Sequence, residues 1–424
     1  MIYRPRAAYL ALSLSFFLPV GFSESPGSSP LLLSTALANT LRYHPSLQAS
    51  QHRLGASAAQ GEQSTATLNP SLEISAEEID RDNQGMDQAS YEVLIAQPIA
   101  LPGFRKSLRL ESETALTQLE REHQVRERQL LHQTIVQYVD AAAAAAEVSV
   151  AEDFLELATQ TLDAVQKRID AGKGAPPQLN RVQIAQAQAS LALKTAQRHA
   201  ALTHNRLMSM WGLAPEEFHL PADALSIEAH IRTESNELLE THPEITALDA
   251  SIQHANAQIQ LSKAAVWPEL ELFAGWQQFE EDDTQSYVLG LQLPLPIWNR
   301  NRAEQKATQL EAQALTEDLK AKQLELDAEL AEALGAFENA LNRVQTLSSK
   351  IIPTTENHQR AVSISYKEGR SGLLDFLDAN QLVLDMRCEQ VDARKVLYLA
   401  LADLHYLSPL SFPPFQPEEF PHAP

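Results

Sequence analysis

Apolar residues recur along this chain with two different periods, and the switch from one to the other happens twice. Residues 31–67 and 237–266 are runs of helix formers whose proline comes only in a His-Pro step, at His44-Pro45 and again at His242-Pro243. Each run predicts a helix that opens one half of the chain. Short segments of period two follow: Leu72, Ile74 and Ala76, then Tyr91, Val93 and Ile95; and later Leu270, Leu272, Ala274 and Trp276, then Tyr287, Leu289, Leu291 and Leu293. Alternation of that kind puts each set on one face of a strand, so it predicts two hairpins. Polar acidic turns at residues 80–88 and 280–285 join the strands, and Pro70, Pro98, Pro268 and Pro294 bracket the pairs.

After each hairpin the period returns to that of a helix. Lys, Glu, Gln, Ala and Leu dominate residues 106–170 and 303–367, with Pro353 as the one internal proline. At 1.5 Å per residue each segment spans about 95–100 Å, far more than a globular core needs. Val148, Leu155, Leu162 and Ile169 lie seven apart with Ala151, Ala158 and Val165 between them, which is a coiled-coil seam. Leu330, Leu334, Phe337, Leu341 and Val344 repeat those steps, as do Leu377, Leu384, Val391 and Tyr398 in the last helix. The alanines of 141–146 and the row Ala185, Ala189, Ala192 and Ala196 leave room for close helix approach.

The two halves are copies. His44 and His242, and Pro70 and Pro268, are separated by 198 positions (242 − 44; 268 − 70), while Gly172 and Gly369 are 197 apart. A period near 200 suits a duplicated domain-sized half and is too long for a solenoid unit. The expected organisation is a signal peptide at 1–23, a first repeat at 24–211, a linker at 212–235, a second repeat at 236–408 and a proline-rich tail at 409–424. The fold class is mainly α with a small β part.

Residues 1–23 carry Arg4 and Arg6, an apolar stretch and then small residues, which is the pattern of a secretory signal. No later stretch has the length of a spanning helix, so a membrane role requires the strands. Four strands do not close a barrel, and an open edge cannot face lipid, so a barrel has to be shared among two, three or four chains. Trp267, Trp298 and Phe104 flank the hairpins on their helix side, where an aromatic girdle would meet membrane lipid. The formal net charge of −22 argues against nucleic acid and leaves open a cation-tolerant interior. Cys388 is the single cysteine, so the chain has no internal disulfide.

Long duplicated helices with one hairpin per half resemble the TolC family of outer-membrane efflux ducts. The resemblance covers residues 31–408 and rests on the His-Pro openings, on QPIALPGFRKS (97–107) and LPLPIWNRNRAE (293–304), and above all on YKEGRSGLLDFLDAN (366–380). The Asn-Arg-Asn exit is similar to that of the heavy-metal, CzcC-like branch, although Asn299 and Asn301 are also good helix caps. The resemblance implies a homotrimer whose strands form one twelve-stranded transmembrane β-barrel above an α-helical tunnel. It further implies a periplasmic adaptor and an inner-membrane pump of the RND type as partners. Gly369, with Gly172 in the first half, would turn the helix hairpins at the periplasmic tip, Asp375 and Asp378 would ring the narrow opening, and Tyr366 would help hold it shut.

Spacing supports the gate without the family, because Asp375 and Asp378 at i, i+3 share a helix face near its positive end. Helix-end complementation alone would also explain them. The first repeat has Gln178 and Arg181 at the equivalent positions, so one half alone supplies carboxylates. Ser371 stands where the family has a basic residue, and Arg370 lies one position earlier, so the chain departs from the family pattern at the latch.

Enzymatic motifs are missing. No phosphate-binding Gly loop, nucleophile elbow or HExxH pattern occurs. His204 and Met208 lie four apart but have no third ligand near in sequence, so metal is expected as cargo without a dedicated site or cofactor. The acidic turn at 280–283 can collect cations at the outer mouth. The function expected is a passive exit duct of a tripartite efflux system, carrying metal cations outward. A general drug or secretion duct, or an exported coiled-coil scaffold without a pore, are the rivals.

Overall fold

The computed structural model describes residues 30–77, 90–172, 175–212, 220, 225, 241–280 and 284–407. The signal segment, most of the linker, the tail, the first acidic turn and residues 281–283 of the second lie outside that set. Among the described residues, eight α-helices and four strands follow in the order α1 (Leu33–Tyr43), α2 (Pro45–Thr65), β1 (Ser71–Glu77), β2 (Ser90–Ala100), α3 (Pro102–Asp170), α4 (Pro176–Ser209), α5 (Pro243–Ala264), β3 (Glu269–Phe279), β4 (Thr284–Gln292), α6 (Arg302–Thr346), α7 (Ile352–Lys367) and α8 (Leu373–Leu407).

The first opening segment is two helices instead of one. Pro45 has no N–H to continue α1, and His44 turns extended at ψ 123°, so the chain breaks there and restarts. In both halves the histidine of the His-Pro step caps the new helix through Nδ1, which accepts from Ser46 N–H at 3.1 Å and from Glu244 N–H at 3.3 Å. The duplicated dipeptide is therefore a duplicated N-cap. A single α-helix over 303–367 is also corrected: α6 and α7 are joined by a π-helical turn, Leu347–Ile351, that ends two residues before Pro353. The missing proline N–H removes one α-type bond where the wider turn sits. At 69 residues α3 runs unbroken for about 100 Å.

The strands form one antiparallel sheet in the order β1-β2-β3-β4, so the two hairpins meet side by side along β2 and β3. Pro98 lies within β2, opposite Glu271, instead of ending it. Register sorts the side chains by parity. Leu72, Ile74, Val93, Ile95, Leu272, Ala274, Trp276, Tyr287, Leu289 and Leu291 share one face, and Tyr287 and Leu289 are 83% and 82% exposed there. All five strand glutamates, Glu73, Glu77, Glu92, Glu269 and Glu271, share the other face, and no strand carries Lys, Arg or His. An apolar outside with a polar inside is the pattern of a membrane barrel wall.

Below the sheet the core is built from α3, α6 and α8, where Ile135, Val139, Leu326, Phe337, Leu397 and Leu401 are buried together. Arg128 of α3 donates to the carbonyls of Tyr406 and His405, both at 2.7 Å, and so satisfies the open end of α8. Nε2 of buried His242 reaches the same Tyr406 carbonyl at 3.1 Å, and the Tyr406 hydroxyl donates to Glu244. Burial opposes the charge on Glu244, but Tyr406 and Lys322 outweigh it and hold the carboxyl below its usual range. No helix among the described residues is long and apolar enough to cross a membrane.

Candidate gate at the helical tip

Two helix hairpins meet at the end of the molecule opposite the sheet. Each turns on a glycine in the left-handed region, Gly172 at φ 72° between α3 and α4 and Gly369 at φ 76° between α7 and α8. A side chain is strained at that φ, so glycine is what the duplicated turn requires. The turns close by Gly172 N–H to the Ile169 carbonyl at 2.8 Å and Gly369 N–H to the Tyr366 carbonyl at 3.0 Å. Between the hairpins Val165, Val182, Leu373 and Phe376 are buried against one another, with Tyr366 packed on them.

Tyr366 stacks on Phe376, with ring centroids 5.1 Å apart and planes at 16°. The Arg168 guanidinium, from the last turn of α3, sits 5.0 Å from the centre of the Tyr366 ring. One cation thus bridges the first hairpin to the aromatic pair of the second. Arg370, by contrast, points along its own turn and pairs with Glu368. Sequence reasoning missed Arg168, whose only signal was a basic residue one turn before Gly172. Arg168→Ala is expected to make the amides of residues 369–372 exchange with solvent about two- to fivefold faster, measured by hydrogen exchange mass spectrometry.

Asp375 and Asp378 are both exposed on the first turns of α8. A carboxylate oxygen of Asp375 accepts the Gly372 N–H at 2.9 Å, the reciprocal half of a capping box. Asp378, one turn on, lines a groove with Arg181, Val182 and Leu157. The repeat-equivalent positions 181 and 378 thus face one groove with opposite charge. Gln178 is exposed at the start of α4.

The other residues singled out by sequence lie elsewhere. Trp298 is 92% exposed and Trp267 41% exposed at the helix side of the sheet, and Phe104 is half-buried in the first turn of α3. Asn301 holds φ 55° at the start of α6 but makes no side-chain cap; its amide donates instead to the Ser262 carbonyl of α5 at 3.0 Å. Met208 is buried in a core cluster beside α1, and no group of three or more metal-ligating side chains occurs among the described residues.

This architecture can be set beside known proteins. The model of the family described as outer membrane efflux protein matches residues 32–213 and 235–408. The chain belongs to that family. Its fold is matched by the solved structure of CusC, with a TM-score of 0.75 at 16% identity over 91% of this chain and 95% of that one. The open-state MtrE outer membrane channel of Neisseria gonorrhoeae gives 0.73 at 20% identity over 88% of each. Among curated relatives, the cobalt-zinc-cadmium resistance protein CzcC of Cupriavidus metallidurans is 25% identical over 260 residues, 60% of this chain and 62% of CzcC. The nickel and cobalt resistance protein CnrC of the same organism is 26% identical over 353 residues, 81% of this chain and 79% of its own. Members of the outer membrane efflux protein family are non-enzymatic channels of the Gram-negative outer membrane with a periplasmic tunnel; they are trimeric and work with adaptor and RND pump partners. The TolC-like fold expected from the sequence is the fold found.

Proposed function

We propose that this chain trimerises into the exit duct of a tripartite efflux system that releases heavy-metal cations to the exterior. The observation that carries the cargo is the sheet register: every strand glutamate faces the polar side, unopposed by any strand cation. In a closed barrel that side is the lumen, and its field concentrates cations over anions. The metal-resistance names of CzcC and CnrC support the same cargo. Three chains would bring twelve strands into one barrel, with Trp267, Trp298 and Phe104 at the membrane boundary. At the tip, Asp375 and Asp378 would line the constriction, Tyr366 would hold it shut, and opening would swing the Gly172 and Gly369 hairpins apart when an adaptor docks.

A strain lacking this gene is expected to become sensitive to cobalt, zinc, cadmium or nickel salts, and the wild-type gene to restore growth. A second reading draws on the pyoverdine export outer membrane protein OpmQ of Pseudomonas putida, 25% identical over 281 residues, 62% of this chain and 60% of OpmQ. Unchanged metal tolerance with retention of a secreted small molecule would favour that reading over the first.

A further inference from the structure

The polar face of the sheet contains an aromatic side chain whose position depends on a glycine. Phe273 of β3 pairs in register with Gly290 of β4, on the face that carries the five glutamates. The ring lies flat across Gly290: a Cβ built there would come within 2.2 Å of the Phe273 Cζ and 2.7 Å of Cε2. No side chain fits at 290 unless the ring moves. Val288 and Gln292 flank Gly290 on the same face of β4, and Ala96 of β2 stands opposite Phe273 on its other side. Sliding along β4 therefore meets side chains, which leaves rotation away from the sheet as the way for the ring to yield. The ring also covers the bare backbone of Gly290, which steadies a strand that glycine weakens.

We propose that Gly290 keeps the lumen of the barrel wide by letting Phe273 lie against the wall, and that this pair sets the size limit for solutes leaving through the outer membrane. The proposal rests on the duct reading, in which this face lines water. With three chains around one axis, three rings lifted from the wall would narrow the passage at one level.

The test is size-graded thiol labelling from outside intact cells. The full-length protein carries Cys388→Ala to remove its native thiol and Gln292→Cys as reporter, on the same face but nearer the helices than Gly290. Maleimides on polyethylene glycols of increasing mass are applied, and trimer content is checked on unheated gels. Gly290→Val, with Gly290→Ala as the milder variant, is expected to lower the largest reagent that labels the reporter thiol. Phe273→Ala added to Gly290→Val is expected to restore it, and Phe273→Ala alone to leave labelling at least as permissive. An unchanged size limit in a Gly290→Val trimer, or no restoration by Phe273→Ala, overturns the proposal while leaving the duct intact. A reporter that even the smallest maleimide fails to reach in the parent protein overturns the duct reading and the proposal with it.

Discussion

Replacing Asp375 and Asp378 together by alanine is expected to raise the concentration of multivalent cation needed for half-block in planar bilayers by about tenfold or more. On the gate proposal the double change would remove carboxylates from every chain around one axis, where close like charges in a narrow pore would hold a multivalent ion far more strongly than a single exposed pair does. The two residues are not equivalent. Asp375 also accepts the Gly372 N–H, so its loss loosens the start of α8 by about 1 kcal/mol. Asp378 makes no such cap, so Asp378→Ala alone separates charge from helix fraying. The gate assignment fails if block is unchanged in a double mutant that still inserts and conducts.

Acidification is expected to weaken the body of the helical region well before the carboxylates protonate. Burial lowers the pKa of His405 from 6.5 to about 4, assisted by the positive charge of Arg128 and by His132. Its folded pKa lies below its unfolded one, so the stability associated with the neutral ring is complete above pH 6.5. That stability is lost as the pH falls through the window down to about 4, where the unfolded chain binds a proton that the folded chain refuses. A shift of this size corresponds to about 3 kcal/mol. His242, also lowered by burial, acts in the same direction. Its Nδ1 accepts the cap of α5 and its Nε2 meets a carbonyl, so an added proton would break the cap. Thermal melts at fixed trimer concentration between pH 7.5 and 4.5 should show a falling melting temperature, and His405→Gln should flatten that slope. A variant with the parent's slope would remove His405 as the cause.

Much of this was legible because the sequence repeats itself. Period-two alternation located all four strands, and register then put the alternating apolar sets on one face, since parity carries over from strand to strand once pairing is fixed. The His-Pro steps were visible as equivalent turns, but that His44 and His242 both cap through Nδ1 needed coordinates. Composition continued smoothly through Leu347–Ile351, so the π-helical turn left no mark beyond Pro353. Contacts between distant positions were the least readable. Arg128 meets the carbonyls of α8 across 277 and 278 residues, and backbone acceptors have no sequence signature. Arg168 over Tyr366, and Phe273 over Gly290, likewise arise from packing that neither local period encodes.

The order β1-β2-β3-β4 has a kinetic consequence. Each hairpin is local, but the seam between them pairs Ser90 with Phe279 and Ala100 with Glu269, with all of α3, α4 and α5 lying between. Contacts at such separation are slow to form because the intervening chain must first be brought back on itself. The helices are therefore expected to assemble before the seam zips, and among the described residues β1 and β4 are left as edges that no further strand pairs. Unpaired strand edges of this kind invite aggregation while a chain waits for its neighbours, so slower expression is expected to raise the share of this protein that reaches the membrane.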